Sequence, residues 1–216
     1  GDNLYLRNAS RTGAPADFSS AELMRERYRE VRAKPFLQKL LAATHHYAIW
    51  DDHDYGPNNA DRHFPLKEES LRLFKAYWPN PDAGAAGVPG TSARFRQEDA
   101  DFFLLDSRFR RDPEKAPADP GKALFGAAQV RISQVFRLDR EGAAPVFEFS
   151  CSPLTSKLAA LSAAERENPR LVAALAVERR NFGTLEFSRE GGRRTALARC
   201  FDTRGSALWT QVLAAV

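Results

Sequence analysis

The chain has 216 residues and a mass of 24.1 kDa, with 43% apolar and 28% charged residues. That balance suits an ordinary folded protein and supplies enough core to need no disulfide or metal staple. The 32 basic and 28 acidic residues leave a net charge of +4, too diffuse for a nucleic-acid-binding face: no five like charges run together, and Arg25 to Lys34 alternates in sign. No apolar run approaches the ~20 residues that cross a bilayer, so no transmembrane segment is expected. Cys151 and Cys200 have neither metal spacing nor the density of a disulfide scaffold. One domain is the expectation at this length. The single methionine, Met24, and the start at Gly1 point to a processed product, an internal fragment or an incomplete gene model.

In chain order, GDNLY (Gly1 to Tyr5) suits the exit from a strand, and a Ser-, Gly- and Pro-rich loop runs to Asp17. Ser19, with Glu22 three residues on, predicts a helix N-cap and an amphipathic helix to Ala33. Pro35 starts a second helix to Ala43. Tyr47 to Trp50 predicts a short buried strand, after which DDHDYGPNNADRH is a polar burst. Residues 66 to 78 predict a third amphipathic helix. Ser92 to Gln97 and Asp101 to Asp106 predict a hairpin, and 109 to 123 a loop punctuated by Pro113, Pro117 and Pro120. Strands are then expected at Ile132 to Leu138, Val146 to Cys151, Asn181 to Ser188, Thr195 to Phe201 and Ala207 to Leu213. Glu141-Gly142, Gly191-Gly192 and Arg204-Gly205 mark turns between them, and an Ala-rich helix from Ala159 to Val177 interrupts the series. The class is α+β, one domain over 1–216 with an N-terminal part to 130 and a strand-rich part from 131.

Asp51-Asp52-His53-Asp54 is the densest polar cluster. Three carboxylates and an imidazole in four residues repel unless paired, and a divalent cation would relieve that repulsion. A solvated acidic turn with an N-capping aspartate explains the same residues equally well. Asp2 alone suggests a turn, and Tyr5 alone suggests packing. Asp106 and Arg108 suggest a local ion pair, and His45 and His46 the end of a helix. Ser150 and Ser152 flank Cys151 without a GxSxG elbow, and there is neither a P-loop nor a dinucleotide fingerprint.

Taken together, GDNLYLR (Gly1 to Arg7), YAIWDDHDYGPNNAD (Tyr47 to Asp61), FPLKEESLRLFKAYWPNP (Phe64 to Pro81), DFFLLDSRFRR (Asp101 to Arg111), FEFSCSPLTS (Phe147 to Ser156) and RNFGTLEF (Arg180 to Phe187) resemble the alkaline phosphatase D-type branch of the calcineurin-like metallophosphoesterases. The resemblance implies a β-sandwich flanked by helices, and hydrolysis of phosphate mono- or diesters of small molecules by two metal ions. Fe, Ca, Mn or Zn would serve. By the same resemblance Asp2, Tyr5 and Asp52 fall at metal-ligand positions and His53 at the position that contacts phosphate and protonates the leaving group. Asp51, Asn58, Asn59 and Arg108 become candidates for a supporting shell or a phosphate contact. Export from a bacterial cell, to the periplasm or beyond, is also implied.

Two parts of the family pattern are missing. No aspartate-bearing strand precedes Gly1, and no histidine follows His63. The passage from Val130 to Arg131 joins segments that the family separates, an apparent deletion on the order of fifty residues, more than an ordinary connection holds. The sandwich is therefore expected to be incomplete, and the activity of this chain weak or absent. The competing expectation is a non-catalytic degenerate homologue that binds phosphorylated ligands or a protein partner through Arg62, Arg108, Arg110 and Arg111.

Overall fold

The computed structural model describes residues 1–81, 89–97, 100–117, 134–140, 143–150, 160–161 and 163–215. Two compact units emerge: Gly1–Ala128 with Leu154–Ser156, and Gln129–Pro153 with Lys157–Val216. Helices dominate the described part of the first and antiparallel strands that of the second, so the class is α+β.

In the first unit, α1 (Ala21–Arg32) starts from Ser20, whose side chain accepts the Leu23 amide at 3.2 Å. The cap is thus Ser20 and not Ser19, which closes a preceding 3-10 turn by donating its hydroxyl to the Ala16 carbonyl. Helix α2 (Pro35–Ala43) has Pro35 in its first turn, where a missing N–H costs nothing. Helix α4 (Lys67–Tyr77) stops before Pro79. It divides two clusters, with Leu71 and Phe74 among Ala48, Trp50, Tyr55, Trp78 and Phe109 on one side. Its Leu73 packs with Leu4, Leu6, Met24, Tyr28, Val31 and Leu37 on the other.

Tyr47 to Trp50 forms no strand, contrary to expectation. Side chains do the ladder's work instead. Asn80 accepts the Ala48 N–H through Oδ1 at 3.0 Å and donates Nδ2 to the Ala48 carbonyl at 2.5 Å, while Asn3 Nδ2 reaches the Ile49 carbonyl at 2.8 Å. A buried backbone needs these partners, whatever supplies them. The hairpin is β1 (Ala93–Gln97) against β2 (Ala100–Leu104), with Phe95 stacked on Phe102; its Glu98-Asp99 turn lies outside the described residues.

In the second unit β3 (Gln134–Arg140) pairs with β4 (Ala143–Ser150), and β6 (Arg193–Asp202) sits between β5 (Asn181–Glu190) and β7 (Ala207–Ala215). The expected strands are all present, while Arg131 to Ser133, Glu141-Gly142 and Cys151 lie outside the described residues. Gly191 and Gly192 join β5 to β6 with φ of 57° and 84°, the paired positive φ that a two-residue hairpin requires. No helix spans the Ala-rich segment: among its described residues there is α5 (Ala163–Arg166) and a separate 3-10 turn, Ala173–Leu175. Pro169 accounts for the break, since it cannot donate a helical N–H and it drives Asn168 out of the helical region. No helix among the described residues is long and apolar enough to cross a membrane.

Candidate metal centre

The polar burst after Trp50 is a buried turn of helix, α3 (Asp52–Tyr55), and not a solvated one: Asp51, Asp52 and Asp54 are 4%, 3% and 1% exposed. Asp51 is the N-cap, as the simpler explanation of the cluster required. Burying three carboxylates demands partners, and each has different ones.

Asp54 faces the start of the chain. Its Oδ1 accepts the Leu4 amide and its Oδ2 the Asp51 amide, each at 2.9 Å. Leu6 N–H adds a bond to the His53 carbonyl at 3.0 Å. Residues 1 to 6 are thereby laid along 49 to 54. At Gly1 the approach is so close that a Cβ would sit 2.6 Å from that of Asp51, so the glycine is a steric requirement. Burial pushes the Asp54 carboxyl up to about 7, against the pull of the amides it accepts.

Asp51 turns the other way, to Arg108. The guanidinium donates Nε to Asp51 Oδ1 at 2.6 Å, with Nη2 closer still, and Nη1 to the Ala60 carbonyl at 3.3 Å. Arg108 is 2% exposed. Burial nevertheless raises the Asp51 pKa, outweighing the arginine. The local Asp106–Arg108 ion pair does not form. Asp106 instead accepts the Trp50 indole N–H at 2.9 Å and the Arg108 and Phe109 amides at 2.8 and 2.9 Å through Oδ1. Its Oδ2 takes the Thr91 amide at 2.7 Å. A carboxylate surrounded by amide and indole donors is already satisfied, which frees Arg108 to reach Asp51.

Asp2, Asp52 and His53 converge. One ligand atom from each lies within 4.8 Å of the others. His53 Nδ1 is 3.0 Å from Asp52 Oδ1 and 3.5 Å from Asp2 Oδ1. Its ring stacks on Tyr5 with centroids 4.2 Å apart, and Tyr5 Oη donates to Asp2 Oδ2 at 2.6 Å. Asp2 is 1% exposed and takes a positive φ of 54°, a conformation aspartate tolerates better than most side chains. Its Oδ1 accepts no hydrogen bond. Asp52 Oδ2 accepts the Asn59 amide at 2.8 Å.

Burial opposes ionisation of Asp52, but the His53 bond, the Arg108 charge and the Asn59 amide outweigh it and hold the carboxyl below its ordinary range. The same logic raises His53 to about 9: burial disfavours the imidazolium, and Asp2 and Asp52 more than restore it. Without a cation, a proton on His53 is what neutralises the pair of carboxylates.

The remaining candidates lie around this cluster. Asn59 contributes its backbone, while its side-chain amide goes to Glu114 at 2.7 Å. Asn58 is exposed. Arg62 pairs with Asp112, and Arg110 is exposed. His63 bonds Asp61 at the surface, and His46 bonds the Leu40 carbonyl. Asp54 is marked in the sequence only as a member of the cluster, and its tie to the Leu4 and Asp51 amides is not foreseen there. Its place three residues after the N-cap, the reach-back position of a capping box, was the available signal. Comparison with protein-family models, curated proteins and solved structures finds no match to the chain.

Proposed function

We propose that the first unit is an incomplete calcineurin-like metallophosphoesterase of the alkaline phosphatase D type, acting weakly or not at all on phosphate mono- or diesters of small molecules. The observation that carries this is the Asp2–Asp52–His53 cluster, in which two buried carboxylates and an imidazole offer ligand atoms within 4.8 Å of one another. Asp2 Oδ1 accepts no well-aligned hydrogen bond, the His53 ring lying 3.5 Å away. Such a pair of carboxylates needs positive charge beside it, from a protonated His53 or from a cation. Two carboxylates beside one imidazole suit Mn, Fe, Zn or Ca, so the residues fit the metal that the motif resemblance implies.

Asp2 and Asp52 would hold the ion, and Tyr5 would join them if its phenolic proton, now donated to Asp2 in a hydrogen bond, is lost. A bound cation would polarise a phosphoryl oxygen and lower the pKa of water. His53 is the proton donor: with Nδ1 kept on the carboxylates, Nε2 is the nitrogen that serves the leaving-group oxygen. Arg108 positions Asp51 and Asp52 and does not reach for phosphate, because its guanidinium is buried and already bonded. That commitment removes one arginine from the competing, purely phosphate-binding role. Three ligand groups suit one ion better than two, which is why turnover is weak. The incomplete sandwich and an exported bacterial location belong to the same proposal.

Metal analysis after loading with Mn, Fe, Zn or Ca, with hydrolysis of aryl phosphate mono- and diesters, tests it. About one ion per chain is expected, together with slow hydrolysis that D52N and chelator abolish. A phosphorylated ligand bound equally well with chelator and in H53A would overturn this function in favour of the non-catalytic role.

A further inference from the structure

A second concavity in the first unit shares no residue with the carboxylate–histidine cluster. It encloses about 480 Å³ between the ends of α2 and α4, a volume in the range of small-molecule sites. Arg32, His45, His46, Tyr47, Tyr77 and Trp78 give it its chemistry, and among the described residues no aspartate or glutamate lines it. The charge of the described lining is therefore positive.

Arg32 is the centre of the argument. Its guanidinium lies 4.2 Å over the Trp78 ring and 5.8 Å from the centroid of Tyr77. One edge donor, Nη2, is spent on the Tyr77 carbonyl at 2.6 Å. Among the described residues no carboxylate pairs with it. A guanidinium stacked by its face keeps its remaining donors in the ring plane, the fork that matches a carboxylate or phosphate. Half-burial without a counter-ion lowers its pKa, and desolvation is the main cause.

Two carbonyls at the helix ends beside it are already bonded, that of Leu40 by His46 and that of Tyr77 by Arg32. The walls add aromatic faces. Tyr47 is 43% exposed and rests on Phe95 with centroids 4.0 Å apart, a firm platform for a further ring. Trp78 is 6% exposed, yet its indole N–H donates to nothing. Turning that ring toward an anion would break no hydrogen bond and gain one.

We propose that this cavity binds a small oxyanion, carboxylate or phosphate, carried on an aromatic body, independently of the metal centre. Arg32 would take the anionic group, with the Trp78 indole N–H beside it and the exposed Tyr47 ring against the aromatic body. Benzoate and phenyl phosphate are the probes, and NMR shifts of the Trp78 indole and His45 ring are the readout. Saturable shifts are expected with both, unchanged by chelator and by D52N. Cyclohexanecarboxylate and inorganic phosphate should bind more weakly. R32Q should lose about tenfold or more in affinity, the scale of a hydrogen bond to a charged group, and R32K should recover part of it. Tyr47→Ala, at the exposed rim, should weaken benzoate and leave the melting curve in place; it decides the matter if R32Q fails to fold. Equal affinity in a folded R32Q, or in Tyr47→Ala, overturns the proposal. So does loss of binding on chelation or in D52N, which would put the anion on the metal cluster. The absence of saturable shifts up to about 10 mM, a Kd too weak for a built site, does so as well.

Discussion

The two units satisfy their backbones in opposite ways. In the second, antiparallel ladders pair Asn181 with Asp202 through to Glu190 with Arg193, and β7 repeats the scheme on the far edge of β6. Its described core is thin, with Leu161, Leu175, Val177, Ala198 and Cys200 buried, while Phe182, Leu185, Phe187 and Val212 are about half exposed. In the first, irregular segments are held by side chains: Asn80 and Asn3 on residues 48 and 49, Asp54 on Leu4 and Asp51, Asp106 on three amides and an indole. A ladder is redundant and tolerates the loss of one side chain. A set of single clamps does not, and the candidate site is built from clamps.

The sharpest break in this contrast should come from Arg108→Met. It leaves Asp51 buried and uncompensated, at a cost of about 3–5 kcal/mol, read from urea unfolding followed by Trp50. Adding Asp51→Leu should return much of that stability, because two apolar groups can replace a buried pair. An unchanged midpoint for the single variant would show that the pair is not buried in solution. The exposed cross-strand pair Arg199–Glu186 in the second unit, 3.2 Å apart, should cost less than about 1 kcal/mol when broken.

Next in size is Asp54→Ala, which orphans the Leu4 and Asp51 amides at about 1–3 kcal/mol. It should also weaken metal binding, since residues 1 to 6 lose a tie to α3. Normal metal content in that variant would mean that the remaining contacts place Asp2 unaided. Asn80→Ala is expected to cost about as much as one unsatisfied buried group, roughly 1–3 kcal/mol. Faster hydrogen exchange should appear at Ala48 and not in β6; uniform acceleration would argue that the two units unfold as one.

A further break is one of pH, measured with chelator present. Asp54 rises from 3.8 to about 7 and His53 from 6.5 to about 9 in the folded chain. Each raised group contributes stability below its unfolded pKa and loses it as pH climbs through the folded one. Amide protection in the first unit should therefore fall between about pH 4, where Asp54 begins to ionise in the unfolded chain, and about pH 9, where His53 is losing its proton in the folded one. Asp202, in the β6–β7 turn, is held low by the Ser206 and Arg204 amides, so its contribution is lost on acidification and stays constant over most of that interval. A parallel decline in both units would remove the distinction.

Local chemistry made much of the fold legible. Proline in the first turn and an apolar stripe define α2, alternation and paired glycines define β5 and β6, and each signal lies within a dozen residues. What failed depended on distance or on a competing bond. Tyr47 to Trp50 has strand composition, but its partners are the amides of Asn3 and Asn80, which no periodicity reveals. Asp106 and Arg108 are neighbours in sequence, yet each finds a better-placed partner elsewhere. The Ala-rich stretch has helical propensity that Pro169 overrides. For the site, the residues alone marked Asp51 to Asp54 as a cluster, and left it balanced between a metal and a turn. The convergence of Asp2 on Asp52 and His53 came from the motif resemblance, not from spacing.

Asp54 and Leu4 are 50 positions apart, so their bond closes a long loop whose entropy must be met before the cluster exists. Asp2 meets His53 only when that loop is shut. An ion held by Asp2 and Asp52 would then act as a clasp on the loop, and part of its affinity would be spent on closure. Measured metal affinity would report how well the first unit folds as much as how well its ligands coordinate.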